Sequence, residues 1–479
     1  GGLNCVDDAW TPFEQNAYWI DGMIRCGWLI EDQDLISYAE SKIYPAIENA
    51  DADGYIGPSF LKDGMLWAHS VYFRALIAYE ATGDGRILEA LKKHYIRADL
   101  KERIKSPSGA RIIAVRDISA IECALWLYGK TKDERFLEMS EEAYAVFNQI
   151  YADDSDAPEG AEMRDLTLQG MLSDRKVCRN HGVTYNEICK LPAILYLYTK
   201  KEIYKRAAVN AFDKLYRDQM LIDGVNSSSE YLNGNSDSQA AHETCDISDL
   251  TWALGYLFMI TGDGKYGDWI ENAVFNAGLG AVDDDFRGEQ YFSCPNQVLA
   301  DDTSNHLFFF RGEDWMSYAP EKFLSCCAGN VHRFMPNYVA RSWMCDREGL
   351  IAFLYAPSVC RTEVRGSFVE IEEKTSYPFR NSVKFYIKTE GTAEFSLRLR
   401  MPSWAVRTHI SINGRDYSYR LEGSMIRIDR IFSDGDVIDL EFEDKIEFIQ
   451  NAGGVSLKKG PLLYALPIRE EKIILGLRD

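Results

Sequence analysis

LWAHSVYFRALIAYEATGDG (66–85) decides the fold. Its apolar residues recur at i, i+3, i+4 and i+7, the period of a helix with one face in a core, and the run halts at a turn rich in Gly and Asp. The unit returns in ISAIECALWLYGKT (118–131) and RFLEMSEEAYAVFNQIYA (135–152), with stops at ATGDGR (81–86), YGKTKDE (128–134) and ITGDGKYGD (260–268). A glycine just past a helix supplies its left-handed cap. Helical patterning runs from about residue 12 to 345, giving roughly ten to twelve helices in antiparallel pairs. The expected closure is an (α/α)6 barrel, since no fixed period supports an α-solenoid.

Near residue 346 the period drops to two. NSVKFYIKTE (381–390), AEFSLRLRM (393–401), HISINGRDYSY (409–419) and DVIDLEFED (436–444) alternate apolar and polar residues between NG, EG and DG turns. The fold class is therefore mainly α with a β domain: a barrel over 1–345, then an antiparallel β-sandwich over 346–479. The closing LYALPIREEKIILGLRD (463–479) stops just after a strand-like run, so a further C-terminal portion is expected to be missing.

The formal charge of −21 with no basic run excludes phosphate-backbone binding and anionic membrane surfaces. No apolar stretch is long enough to span a bilayer. The opening GGLNCVDDAW has neither a basic nor an apolar signal region, although a leader could have been removed. Aromatics reach 13%, and such rings suit a pocket that stacks on sugar faces. The 11 cysteines follow no framework spacing, so most, Cys5 included, read as reduced buried thiols, which favours a cytoplasmic location and leaves export open.

SCCAGN (325–330) departs from that pattern. Two adjacent thiolates need a cation, and Zn²⁺ is the usual one. HETCD (242–246) places Glu243 and Cys245 two residues apart; the apolar pattern starts only at Ile247, so both are expected in extended chain, projecting to one side. With Cys326 and Cys327 they make a set of three sulfurs and one oxygen, for which a closed structural zinc site and a catalytic one stand level. Glu230, in NSSSEYLNG (226–234), reads by pattern alone as a solvated loop carboxylate. His69 reads as a satisfied core histidine, His181 as either packing or a pocket imidazole, and neither His242 nor His332 as a ligand. The long, weakly patterned stretches 153–182, 221–243 and 282–325 end at His181, Glu243 and Cys326.

The order GVNSSSEYLNG, HETC, GYLFMITGDGKYGDWIENAVFNAG, GEQYFSCPNQV, SCCAGN, MPNYV resembles glycoside hydrolase family 127, whose defining members are β-L-arabinofuranosidases. The resemblance spans PFEQNAYWIDG (12–22) to GPLLYALPI (460–468). It implies the barrel and sandwich fold and zinc held by Glu243, Cys245, Cys326 and Cys327. It makes Cys326 the nucleophile and Glu230 the acid/base. Gln15, His69, His181, Glu271 and Tyr291 become substrate contacts, Tyr291 lying close to the nucleophile. The mechanism it implies is a retaining double displacement through a glycosyl thioether. The stretch 226–243 is shorter and more polar than in the founding enzymes, which points to a divergent branch. The competing expectations are a carbohydrate-binding protein with a structural zinc, a helical-barrel sugar epimerase or uronyl hydrolase, and a vicinal-thiol redox protein. The partner is a carbohydrate; oligomeric state is left open, a homodimer included.

Overall fold

The computed structural model describes residues 13–62, 64–107, 111–153, 162–237, 239–301, 304, 313–318, 326–469 and 471. Cys5, the chain start and Ser325 lie outside the described residues, as do parts of the stretches 153–182 and 282–325.

The inner helices are Phe13–Ile30, Trp67–Glu80, Ala120–Thr131, the pair Gly182–Cys189 and Leu191–Thr199, Thr244–Thr261, and Phe334–Ala340. Each packs on the next and the last on the first, which closes an (α/α)6 ring. The outer helices Gln33–Glu48, Gly85–Arg97, Glu134–Ile150, Glu202–Gln219 and Lys265–Asn272 each lie on the inner helix they follow. Outer helices are amphipathic: Gly85–Arg97 buries Ile87, Leu91, His94 and Tyr95 on one stripe. Inner helices are buried almost all round, between the outer ring and a polar axis. Thr244–Thr261 therefore buries Asp246, Ser248 and Asp249 as well as Leu250, Leu254 and Leu257.

Charges along that axis are paired across helices, which offsets the cost of removing them from water. Arg74 reaches Asp249 at 3.0 Å and Glu122 at 3.3 Å, Lys190 reaches Glu122 at 3.1 Å, and Arg333 reaches Asp21 at 3.0 Å.

Turn chemistry agrees with the sequence at Gly262, which caps Thr244–Thr261 at φ 69. Lys132 and Lys200 hold the same left-handed position without being glycine, so the glycine signal misses two helix ends. The aspartates of the turns cap the following helices: Asp84 accepts from Arg86 N and Asp133 from Arg135 N.

The last inner helix ends at Ala340 and the first strand begins at Trp343. A six-stranded and a five-stranded sheet then enclose one core, with Val369, Ile371, Phe385 and Leu440 from one side and Leu350, Leu397, Leu399 and Ile428 from the other. One pairing departs from the expected antiparallel order. Gly349–Ala352, the second strand after the barrel, runs parallel to Thr392–Arg400. A Cβ at Gly349 would sit 2.0 Å from Ser396 O, so only glycine allows that approach.

A third sheet, Ile446–Asn451, Gly454–Lys459 and Leu462–Tyr464, follows the two that enclose the core. It docks on the barrel through Lys458 Nζ to Asn272 Oδ1 at 3.0 Å and through Asn276, which bonds Pro461 O and Leu463 N. No described helix is long and apolar enough to cross a membrane.

Candidate active site

Glu243 is extended: His242–Glu243 pairs with Phe292–Ser293 as a two-residue ladder, and Glu243 ends it as the N-cap of Thr244–Thr261. Cys245 is not extended but lies in the first helical turn. The helix starts three residues before the apolar pattern because its first turn faces the polar axis, where Thr244 and Asp246 are buried as fully as any leucine. Cys326 and Cys327 open the short helix Cys326–Asn330, which leads into the last inner helix. His181 is the N-cap of Gly182–Cys189. Each group thus sits at or before the start of an inner helix, and all collect at one end of the ring.

Glu243, Cys245, Cys326 and Cys327 offer a carboxylate oxygen and three sulfurs within 4.8 Å of one another. Cys245 Sγ lies 3.3 Å from Cys327 Sγ, and Glu243 Oε1 lies 3.3 Å from Cys326 Sγ and 3.8 Å from Cys327 Sγ. Asn330 Nδ2 donates to Cys245 Sγ at 3.1 Å. Glu243, Cys245 and Cys327 are buried, whereas Cys326 is partly open to solvent. Burial pushes the thiols of Cys245 and Cys327 and the Glu243 carboxyl well above their ordinary ranges. Cys326 moves the other way, well below an ordinary thiol, because Cys245 and Cys327 donate hydrogen bonds to it.

Glu230 is not solvated. Ser227, Ser228 and Ser229 are fully buried, Glu230 is 7% exposed, and the loop is clamped by Ser228 N to Ala241 O at 2.7 Å and Leu232 N to Asn180 O at 2.8 Å. Glu230 sits at φ 72, an unusual conformation for a side chain of its size, and its carbonyl accepts from Gly182 N at 2.9 Å. That strain aims its carboxylate at two partners: Tyr291 Oη at 2.8 Å on Oε1 and His181 Nε2 at 3.2 Å on Oε2. The same Tyr291 hydroxyl lies 3.3 Å from Cys326 Sγ. Trp315 packs edge-on against the Tyr291 ring at 4.2 Å.

Gln15 lies on the first inner helix, beside the Cys-Cys helix; a Cβ at Gly329 would lie 2.9 Å from Gln15 O. Two expected sugar contacts are placed elsewhere. His69 is 1% exposed, bonded from Nε2 to Ile56 O at 3.0 Å and walled by Tyr55, Phe73 and His94; burial pulls its pKa down to about 4. The ring packs in the core of the barrel. Glu271 is fully buried where barrel meets sandwich, bonded by Arg400 Nη2 and by Tyr377 Oη at 2.5 Å. Its carboxylate joins barrel to sandwich. His242 bonds Asp223 at 2.8 Å and takes no part in the cluster.

Sequence reasoning missed Arg116, Thr184 and Glu14. Arg116 Nη2 lies 2.9 Å from His181 Nδ1, and its Nε donates to Thr184 Oγ1 at 2.6 Å. Arg116 sits in the 3₁₀ turn Val115–Ser119, too short for any periodicity to reveal its direction. Burial and the nearby Cys326 hold the Glu14 carboxyl well above the usual range. Its neighbour Gln15 was the only signal for that turn of helix.

The arrangement offers one accessible, acidified thiol and one clamped carboxyl bridged by a tyrosine, above a buried set of soft donors.

Residues 31–340 match the family described as Beta-L-arabinofuranosidase, GH127 catalytic domain, and residues 349–443 the one described as Beta-L-arabinofuranosidase, GH127 middle domain. Among solved structures the chain is similar to a GH127 beta-L-arabinofuranosidase from Geobacillus stearothermophilus T6. They share 22% identity at a TM-score of 0.74, covering 94% of this chain and 76% of that one. It is also similar to a protein described as a glycoside hydrolase, at 18% identity and TM-score 0.79, over 96% of this chain and 78% of that one. A GH127 beta-arabinofuranosidase aligns at 16% identity and TM-score 0.73, over 96% of this chain and 76% of that one. No curated protein matches.

Proposed function

The chain belongs to glycoside hydrolase family 127, and from that premise we propose that it is a zinc-dependent, retaining exo-glycosidase of the β-L-arabinofuranosidase type, with Cys326 as nucleophile and Glu230 as acid/base. One observation carries the reading: a single hydroxyl, Tyr291 Oη, lies 2.8 Å from Glu230 Oε1 and 3.3 Å from Cys326 Sγ. Those two contacts laid end to end fall short of the ~6.5–9.5 Å that an inverting pair keeps for a water, and suit the ~5–5.5 Å of a retaining pair.

The donor set fits zinc. Three sulfurs and a carboxylate oxygen converge, and Glu243 Oε2 is buried with no hydrogen-bond partner among the described residues. Glu243, Cys245, Cys326 and Cys327 would hold the ion. Bound there, zinc supplies the positive charge that keeps clustered thiols ionised and makes a sulfur a better leaving group from carbon.

Cys326 sulfur attacks the anomeric carbon, forming the C–S bond while the C–O bond to the leaving group breaks and Glu230 gives that oxygen its proton. Glu230 then takes a proton from water, the water oxygen forms the new C–O bond, and the C–S bond breaks to restore the thiolate. Tyr291 can donate to the sulfur when it is anionic and to Glu230 when that carboxylate is, so one proton follows the charge between them. The partial exposure of Cys326 favours this reading over a closed structural site.

Metal content measured alongside turnover of p-nitrophenyl β-L-arabinofuranoside, before and after chelation, tests it. One zinc per chain with chelator-sensitive hydrolysis is expected. Metal-free protein that keeps full activity contradicts it.

A further inference from the structure

Four donors and acceptors around His181 constrain its protonation. Its Nδ1 receives three donors: Arg116 Nη2 at 2.9 Å, the backbone N of Thr184 at 3.3 Å and the Thr184 hydroxyl at 3.2 Å. The Thr184 hydroxyl accepts from Arg116 Nε at 2.6 Å, so its own proton is free to point at Nδ1. A nitrogen met by three donors must present its lone pair. A proton on Nδ1 would face a permanent guanidinium cation and the first turn of Gly182–Cys189, where helix N–H groups carry partial positive charge. The proton of the neutral ring is thus confined to Nε2, which faces Glu230 Oε2 at 3.2 Å.

Arg116 itself is held from behind. Its guanidinium lies over the Trp67 ring at 4.4 Å, and its Nε is 3.6 Å from Glu187 Oε2. Glu187 is fully buried and also accepts from Trp67 Nε1 at 3.2 Å. Asp, Asn, Ser or Thr would cap this helix as well as histidine does. Only histidine passes the polarity of that cap across its ring to a second group.

We propose that Arg116 is a positioning residue for the acid/base step: it fixes His181 as the Nε2–H tautomer, which occupies Glu230 Oε2 and leaves Oε1 as the oxygen that carries the transferable proton. The inference rests on Glu230 being the acid/base. Oε1 is the oxygen beside Tyr291 and Cys326, where the leaving oxygen of a bound sugar would have to lie for the two steps to share one site. An imidazole free to flip its tautomer would instead ask Glu230 to donate to it, and would draw the proton away from the substrate.

The test has two arms. Protein labelled with ¹⁵N-histidine gives side-chain tautomers from long-range ¹H–¹⁵N correlations, with the His181 signals assigned by their loss in His181→Gln. The wild type is expected to show an unprotonated Nδ1 and a protonated Nε2 at His181. Arg116→Met should give signals averaged between tautomers, and Arg116→Lys, which keeps a cation against Glu187, should restore the wild-type pattern. A protonated Nδ1 in the wild type, or an unchanged pattern in Arg116→Met, overturns the proposal. The second arm measures kcat/KM on aryl β-L-arabinofuranosides of graded leaving-group pKa. Arg116→Met should lose on the order of tenfold on poor leaving groups and little on 2,4-dinitrophenolate, which needs no proton. An equal loss across the series means a merely structural role and overturns it. If no aryl furanoside is cleaved by the wild type, the activity reading fails, while the tautomer arm still decides for or against Arg116.

Discussion

Replacing Glu271 by Ala separates a domain joint from a sugar contact. Arg400 and Glu271 have fully buried side chains and bond each other across the junction. Without Glu271, Arg400 keeps Asp268 and Phe353 O, and Tyr377 Oη loses its 2.5 Å acceptor. Breaking a buried pair from one side costs up to ~3–5 kcal/mol, since Asp268 then compensates alone a desolvated guanidinium that two carboxylates shared. With a slope of ~3 kcal/mol per M, the urea midpoint should fall on the order of 1–2 M. Glu271→Gln should lose less, since an amide oxygen still accepts from Tyr377. Because Glu271 bonds no group of the Cys326 cluster, KM and kcat measured at low temperature should hold in both variants. An unfolding free energy unchanged to within about 0.5 kcal/mol together with a raised KM would refute this reasoning and return Glu271 to the pocket.

Cys326→Ser should abolish turnover while leaving the far-ultraviolet circular dichroism of the barrel unchanged; retained turnover sinks the nucleophile assignment. Glu243→Gln and Cys245→Ser should lower zinc content and activity in parallel, as read by atomic absorption and initial rates, whereas loss of only one would uncouple metal from catalysis. Stability should fall on the acid side through His69. Its folded pKa of about 4 lies below the ordinary value of about 6.5, so the unfolded chain takes up the proton first as pH drops. The contribution is intact above pH ~6.5 and lost progressively down to about pH 4, to a total of about 3 kcal/mol, and His69→Gln should remove that part of the slope in urea titrations. Gly182→Ala should cost ~1–3 kcal/mol by overpacking and slow turnover, because its Cβ would meet Ser228 Oγ at 2.6 Å and Asp246 Oδ2 at 2.7 Å under the Glu230 loop. Normal stability in a chemical melt would contradict that.

Periodicity made the layout legible. The outer helices carry clean stripes, and the strands of the sandwich alternate as they must when one face is buried. Legibility failed where the barrel buries polar residues. Thr244, Asp246 and Ser248 face the axis, so the helix start at Thr244 left no apolar mark. The same inversion hid Glu230: three serines before it read as a solvated loop, yet all are buried and hold it in place. Cys326, Cys327, Cys245 and Glu243 could be grouped from sequence because thiolates in such numbers need a common partner. Arg116 could not, since its meaning depends on His181, which lies 65 residues further along the chain. His69 and Glu271 show a different limit: the helical face of His69 already read as core, whereas nothing in the sequence around Glu271 marks its Arg400 and Tyr377 partners, which lie more than a hundred residues further along the chain.

The central claim is that Cys326 sulfur bonds to the sugar. Peptide mass spectrometry on a Glu230→Gln variant incubated with 2,4-dinitrophenyl β-L-arabinofuranoside tests it most directly. That leaving group departs without acid help, and the missing base slows release of the adduct. The account predicts one pentosyl adduct on the peptide containing Cys326-Cys327, absent when Cys326 is also replaced by Ser. An adduct on a carboxylate, or product of inverted configuration with no adduct, would contradict it.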